Sequence, residues 1–122
     1  MSVYLPKGPN NNNTEWLKNI QYDKQTNFII TGDFNAHSSF WEQNCSNVTS
    51  TKFVNNIIDS PFFLLNDGQI TRIPDILHHR PTSIDLTLVS PNLAPLCYWK
   101  TWPDTLNSDH LPIITTIQDL NK

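Results

Sequence analysis

With 122 residues, the chain has room for one domain. Hydrophobic residues make up 38% of it and aromatic residues 11%, enough for a core, which argues against a chain disordered throughout. Only 16% of the residues are charged and the net charge is −3, so the sequence lacks the broadly basic surface of a simple nucleic-acid binder. An enzyme acting on nucleic acid would have to grip phosphate locally or through a metal ion.

The N-terminal part alternates between short strand and helix patterns. We predict a strand over Ser2–Leu5, an Asn-rich connector over 7–13, and a helix over Thr14–Gln25 with apolar residues on one stripe. The apolar run Asn27–Thr31 predicts a strand buried on both faces, which Gly32 ends.

The remainder is richer in strands. Apolar residues at helical spacing predict a helix over Thr51–Asp59. Phe62–Leu65 predicts a strand ended by an Asn-Asp-Gly turn, and the alternation in Ser83–Val89 predicts a half-buried strand. Cys97–Trp102 and Leu111–Ile117 are two further strand candidates. Dominant strands with two interspersed helices predict a mixed α/β or α+β sheet structure.

Neither targeting nor membrane signals are found. The apolar runs are far shorter than the ~20 residues of a membrane span, and the N-terminus lacks the charged start and apolar stretch of a signal peptide. We therefore expect an intracellular protein that is not secreted, with Cys45 and Cys97 as reduced thiols.

Three segments place acidic residues at strand ends or on strand faces: Thr31–His37, Ser83–Thr87 and Ser108–Pro112. Taken singly, each has a plain explanation as a turn, a solvated carboxylate or a polar cap. Together they supply the Asp, Asn and His side chains that bind a hard divalent cation such as Mg²⁺ and activate a water molecule. Strand ends that converge at one edge of a sheet would form such a site.

Four ordered motifs carry a family resemblance over nearly the whole chain. They are Tyr4-Leu-Pro, Gly32-Asp-Phe-Asn-Ala-His, Ser83-Ile-Asp-Leu-Thr and Ser108-Asp-His-Leu-Pro-Ile. This set resembles the endonuclease/exonuclease/phosphatase superfamily. Within the superfamily, it is most similar to the apurinic/apyrimidinic-like endonuclease domain of jockey-type non-LTR retrotransposons.

The resemblance implies a catalytic set of four residues. Asp33 would orient or deprotonate the attacking water, and Asn35 would hold the scissile phosphate beside it. Asp85 would pair with the imidazole of His110, whose other nitrogen would contact a phosphate oxygen.

The resemblance also implies a metal site and supporting residues. Asp109 would help Asp33 to hold Mg²⁺ or Mn²⁺ or its waters, and Tyr4 would donate a hydrogen bond to the phosphate. Ser83 would support the strand of the third motif by hydrogen bonding, and His37 would be a structural or substrate-loop residue.

The expected fold is that of the superfamily, a four-layer sandwich of two mixed, mostly antiparallel sheets flanked by helices. In the family, a metal-ligating glutamate lies upstream of the tyrosine motif. We therefore expect a single truncated domain, the C-terminal half of that sandwich, divided into a tyrosine strand (1–6), the Asn-rich connector (7–13) and a catalytic-motif region (14–118).

The resemblance favours a divalent-metal-dependent phosphodiesterase that nicks DNA and leaves a 3′-hydroxyl to prime reverse transcription, weakly active or inactive as a fragment. Its partners would be DNA, the missing N-terminal half and the parent reverse-transcriptase polypeptide, and its place of action the nucleus. Two alternatives stay open, a phosphatase-type phosphoester hydrolase of the same superfamily and a non-catalytic remnant or binding fragment. The loop His78-His79-Arg80, with Arg72, either lies along a DNA backbone or is a solvated loop.

Overall fold

The computed structural model describes most of the chain, namely residues 1–5, 14–21, 23, 25–45, 49, 51–74 and 80–118. The Asn-rich connector and the pair His78-His79 lie outside the described residues. Within the described ranges, no helix has the length and apolar character needed to cross a membrane. Neither Cys45 nor Cys97 forms a disulfide, as predicted.

A four-stranded sheet forms the centre of the described structure. Its strands are β1 (Ser2–Tyr4), β2 (Ile29–Asp33), β3 (Phe63–Leu64) and β4 (Asp85–Val89), in the order β1-β2-β4-β3. β1 runs parallel to β2, and the other pairs are antiparallel. The predicted mixed, mostly antiparallel sheet is therefore confirmed.

Two helices, α1 (Trp16–Asn19) and α2 (Thr51–Ile58), lie on one face of this sheet. The sheet, both helices and the loop after β2 all contribute fully or nearly fully buried apolar side chains to one cluster: Leu17, Ile30, Phe34, Ala36, Trp41, Phe53, Val54, Ile57, Phe62, Leu86 and Leu88. The buried Thr14 hydroxyl donates a hydrogen bond to the Phe53 carbonyl at 3.0 Å and joins the two helices. The core thus fixes one face of β2 and β4 and leaves the other face for different contacts.

A second sheet lies over that other face. It pairs β5 (Cys97–Thr101) with β6 (Ile113–Ile117) in antiparallel fashion. The indole Nε1–H of Trp99 on β5 donates to the Thr87 hydroxyl on β4 at 3.1 Å. The described residues therefore form helices, sheet and sheet in successive layers, in agreement with the expected sandwich class.

Gly32 does not end its strand, contrary to the prediction. It lies inside β2 opposite Val3, with φ at +154°, and a Cβ built on it would be 1.8 Å from the Val3 carbonyl oxygen. A side chain would therefore collide with β1, so the glycine permits two parallel strands to approach at this point. The strand continues to Asp33, and this carries the acid into the sheet.

Three further expectations were wrong in extent or burial. The helix predicted over Thr14–Gln25 has only four residues, because Ile20 adopts an extended conformation (φ −69°, ψ 117°). The alternating strand β4 is buried along its whole length, because α1 and α2 cover one face and β5 the other. Strand β2 is fully buried only at Ile30, since its other face carries polar residues toward a partly open site.

Candidate active site

The sheet register aligns three of the predicted site residues. Tyr4 on β1 pairs with Asp33 on β2, and Asp33 pairs with Asp85 on β4. Residues that lie directly opposite each other across strands point to the same face. The three side chains therefore form a row across neighbouring strands, on the face opposite the apolar core.

Side chains rather than a strand complete the hydrogen bonding of β4 beside Asp85. After β3 ends, the Asn66 amide accepts from the Thr87 N–H at 2.9 Å and donates to the Asp85 carbonyl at 2.8 Å. The hydroxyl oxygen of the fully buried Thr71 accepts from the Asp85 N–H at 3.1 Å. The N–H and the carbonyl of Asp85 are therefore both hydrogen-bonded. This holds in place the backbone that carries the Asp85 carboxylate.

Arg72 lies between the chain segments of Thr82 and His110. Its pairing with His110 brings the histidine close to the row of Tyr4, Asp33 and Asp85. Arg72 forms antiparallel bridges with both Thr82 and His110. The Leu111 N–H donates to the Thr71 carbonyl at 2.8 Å. These backbone bonds hold the Ser-Asp-His motif close to the start of β4, although His110 and Asp85 are far apart along the chain.

His110 contacts Asp85 directly and faces Asp33. Its Nδ1 is 2.8 Å from Oδ2 and 3.1 Å from Oδ1 of Asp85. Because an ionised carboxylate only accepts, Nδ1 carries the proton in this pair and Nε2 is directed away from Asp85. Nε2 lies 3.8 Å from Oδ2 of Asp33, too far for a hydrogen bond, so the two atoms border a common space.

The pKa of the Asp33 carboxyl is shifted by its surroundings. Burial raises the pKa of its carboxyl above the usual value, the hydrogen bond from the Asn35 N–H opposes this rise, and the neighbouring charge of Asp85 adds to it. A carboxylate with a raised pKa is a better general base than an exposed one.

Asp109 is held by a cation. Its Oδ2 accepts from Nε of Arg72 at 2.9 Å, and its Oδ1 is 3.9 Å from Nε2 of His110. The hydrogen bond from Arg72 holds the pKa of the Asp109 carboxyl below its usual value. Asp109 therefore lies beside the His110 ring with one oxygen already engaged.

Asn35 and Tyr4 lie beside Asp33 at the edge of this group. Asn35 adopts a left-handed conformation (φ +46°), which asparagine tolerates, and its N–H donates to Oδ1 of Asp33 at 2.9 Å. Its side-chain amide donates to the Leu5 carbonyl and so ties the end of β1 to the site. Tyr4 is 69% exposed, so its ring is accessible at the rim.

The two supporting residues named from the sequence meet at a third residue, Glu42. The carboxylate of Glu42, only 7% exposed, accepts from the Ser83 N–H at 2.8 Å and lies 3.2 Å from Nδ1 of His37. The Ser83 hydroxyl donates to the Gln69 carbonyl at 2.7 Å. Ser83 and His37 thus brace the start of β4 against the loop after β2, outside the His110 contacts.

The described residues include one group able to hold a metal ion, formed by Asp33, Asp85 and His110, whose ligand atoms all lie within 4.8 Å of one another. The carboxylate oxygen of this group best placed to bind an ion is Oδ2 of Asp33. The other Asp33 oxygen accepts from the Asn35 N–H, and both Asp85 oxygens lie near Nδ1 of His110. A site with one or two carboxylates fits a hard cation that keeps most of its waters. The residues present therefore fit such an ion.

Three contributors to the site carry little signal in the sequence. Asn66 belongs to an Asn-Asp-Gly turn, so its composition indicates a turn and nothing more. Thr71 stands alone between apolar and basic neighbours, and Glu42 follows a tryptophan in a loop. The roles of these residues become visible only from their hydrogen-bond partners in the folded chain, which the sequence does not report.

The chain is similar to known proteins in both sequence and structure. Residues 1–114 match the model of a family described as endonuclease-reverse transcriptase. The probable RNA-directed DNA polymerase from transposon X-element of Drosophila melanogaster is 32% identical over 104 residues, which cover 85% of this chain and 11% of the relative. The endonuclease domain of TRAS1, a telomere-specific non-LTR retrotransposon, matches with a TM-score of 0.62 and 22% identity over 75% of this chain and 43% of that one.

These matches confirm the resemblance read from the four motifs. The solved structure supports the fold, and the family model covers all residues of the site from Tyr4 to His110. The chain spans about a tenth of the curated relative. The chain belongs to the endonuclease-reverse transcriptase family.

Proposed function

We propose that the chain is part of a DNA-nicking endonuclease of a retrotransposon polypeptide, a divalent-metal-dependent phosphodiesterase that leaves a 3′-hydroxyl for reverse transcription. The observation that carries the proposal is the convergence of Asp33, Asp85 and His110 within 4.8 Å at one end of the sheet. Membership of the endonuclease-reverse transcriptase family supports it independently.

The proposed chemistry assigns each of the three residues a task in the reaction. Asp33 takes a proton from the attacking water, whose oxygen bonds to phosphorus; the bond from phosphorus to O3′ breaks, and O3′ leaves with its electron pair and is protonated by solvent. As an imidazolium, His110 places its Nε2–H against a phosphate oxygen, where this donor offsets charge in the transition state. Asp85 holds the ring in that orientation through Nδ1, at 2.8 Å.

Mg²⁺ or Mn²⁺ is the proposed cofactor. Asp33 would hold it, with Asp109 at its waters, and the ion would supply positive charge to the phosphate. The remaining proposed partners are DNA and the parent reverse-transcriptase polypeptide, in keeping with the 11% of the curated relative that the chain spans. Because chromosomal DNA is the proposed substrate, the proposed place of action is the nucleus.

The test is nicking of supercoiled plasmid by the chain with the expected upstream half of the domain restored, in Mg²⁺, in Mn²⁺ and in EDTA. We expect metal-dependent nicks that a DNA polymerase extends directly, which requires a 3′-hydroxyl. Asp33→Ala and His110→Ala should each lower the rate at least ~100-fold. Lys52→Gln is the control, since Lys52 pairs with Glu15 on the helical side of the molecule.

Three outcomes contradict the proposal. They are an intact plasmid under all metal conditions, unchanged nicking in EDTA, and unchanged nicking by both alanine variants. A soluble phosphoester hydrolysed in preference to plasmid would favour the phosphatase-type alternative over the nuclease.

A further inference from the structure

Arg72 lies beside the site although it belongs to none of the three acidic motifs, and backbone pairing places it there. Arg72 lies directly opposite His110 in an antiparallel bridge, so the two side chains leave the backbone on the same side. The Arg72 N–H donates to the Thr82 carbonyl at 3.0 Å, and the Ile73 N–H donates to the Asp109 carbonyl at 2.7 Å. The position of Arg72 is therefore fixed from both flanks.

The guanidinium group of Arg72 is oriented but not saturated. Its Nε donates to Oδ2 of Asp109 at 2.9 Å, and this is the one hydrogen bond that the group makes to the described residues. Arginine has five N–H donors in a planar fork, so the terminal Nη groups keep donors for a ligand. The side chain is 31% exposed, which leaves it accessible from solvent.

The negative charges around the site favour a positively charged donor that can bind a phosphate. Two carboxylates, those of Asp33 and Asp109, border the space beside Nε2 of His110, and the carboxylate of Asp85 contacts Nδ1 of the same ring. A phosphodiester that enters this space carries a further negative charge, which the carboxylates repel. Within the described residues, Arg72 is the permanent cation whose charge acts on Asp33 and which contacts Asp109.

The guanidinium of Arg72 and the imidazole of His110 are both neighbours of one carboxylate. The Asp109 carboxylate lies next to both groups, since one of its oxygens is 2.9 Å from Arg72 Nε and the other 3.9 Å from His110 Nε2. Arginine binds phosphate in a planar, two-pronged geometry that lysine does not reproduce.

We propose that Arg72 is a catalytic residue that binds the scissile phosphate beside His110, and that Asp109 orients Arg72 for this contact. The inference rests on the proposed phosphodiesterase function. It adds a second positively charged ligand for the phosphate and gives the Asp109 carboxylate a task besides the metal.

The test separates phosphate binding from cleavage. Inorganic phosphate is titrated into the ¹⁵N- and ¹³C-labelled chain in EDTA, and the NMR signals of the Arg72 Nε–H and the His110 ring are followed together. We expect both signals to shift with one Kd. Arg72→Gln should weaken that Kd about 10- to 100-fold, and Arg72→Lys should weaken it less, because the charge stays but the fork is lost.

Lys52→Gln removes a positive charge far from the site and should leave the Kd unchanged. Duplex DNA binding adds a second readout, since losing one phosphate contact lowers the salt dependence of binding by about one ion in the Arg72→Gln variant. Thermal unfolding of each variant reports whether it is folded. If Arg72→Gln does not fold, the phosphate titration is read from Arg72→Lys.

A Kd for phosphate that stays the same in Arg72→Gln and Arg72→Lys, or a titration in which the Arg72 signal does not move while that of His110 does, overturns the inference. A merely structural role of Arg72 would lower the melting temperature and leave phosphate affinity unchanged. Failure of the proposed nuclease function would appear instead as absent plasmid nicking in the wild type, with phosphate binding intact.

Discussion

Replacement of Thr71 by valine isolates the hydrogen bond that holds the backbone of Asp85. Thr71 is fully buried, and its hydroxyl oxygen accepts from the Asp85 N–H at 3.1 Å. Valine has nearly the same shape but no acceptor, so the N–H loses its partner in a buried place. Such an orphaned donor costs about 1–3 kcal/mol.

A loss of about 2 kcal/mol lowers the melting temperature of a domain of this size by roughly 8 °C. The matched control Thr71→Ser keeps the acceptor and removes one methyl group, at a cost of about 1 kcal/mol. We expect the Asp85 amide to exchange its hydrogen faster in the valine variant only. Nicking should fall about tenfold or more in Thr71→Val, because the carboxylate that orients His110 loses its anchor.

Calorimetry, amide hydrogen exchange and plasmid nicking are measured on both variants. If Thr71→Val melts with the wild type and keeps the protection of the Asp85 amide, the hydrogen bond does not hold the strand. If serine and valine lower nicking equally, the loss comes from packing around the methyl group, and the reasoning from the hydroxyl is refuted.

Three further predictions follow from single residues. Gly32→Ala should cost about 3 kcal/mol of folding free energy and detach β1, because the new Cβ would meet the Val3 carbonyl oxygen at 1.8 Å; unchanged urea unfolding would contradict this. Because burial raises the Asp33 pKa, the folded chain binds that proton more tightly than the unfolded chain, and stability falls as pH rises from the ordinary 3.8 through the raised pKa. Asp33→Asn should therefore raise the melting temperature at neutral pH, which calorimetry from pH 4 to pH 8 measures against the wild type. The pH dependence from Asp109 has the opposite sign, because Arg72 lowers its pKa and stability is lost as pH falls below 3.8 through the lowered pKa. Asp109→Asn should therefore reduce the loss of stability at acid pH in a circular-dichroism titration.

The strands and the acids at their ends could be predicted because both depend on local patterns. The apolar alternation of Ser83–Val89 located β4, and the acidic motifs located Asp33, Asp85 and His110. Sheet pairing then brings together residues that lie far apart along the chain.

The errors arose where tertiary contacts overrule local preference. A glycine after an apolar run usually ends a strand, but Gly32 continues β2 because another backbone passes over it. The burial of β4 depends on layers from other parts of the chain, which periodicity does not report. The contacts of Thr71, Asn66 and Arg72 are likewise long-range, so no spacing in the sequence indicates them.

The central claim, that Asp85 and His110 act on a phosphodiester as one unit, is tested most directly by a double-mutant cycle on plasmid nicking. The cycle compares Asp85→Asn, His110→Gln and the double variant with the wild type. Because the proposed action of the His110 ring depends on its 2.8 Å contact with Asp85, the double variant should nick no slower than the slower single variant. Rate losses that multiply would mean that the two residues act independently and would contradict the account.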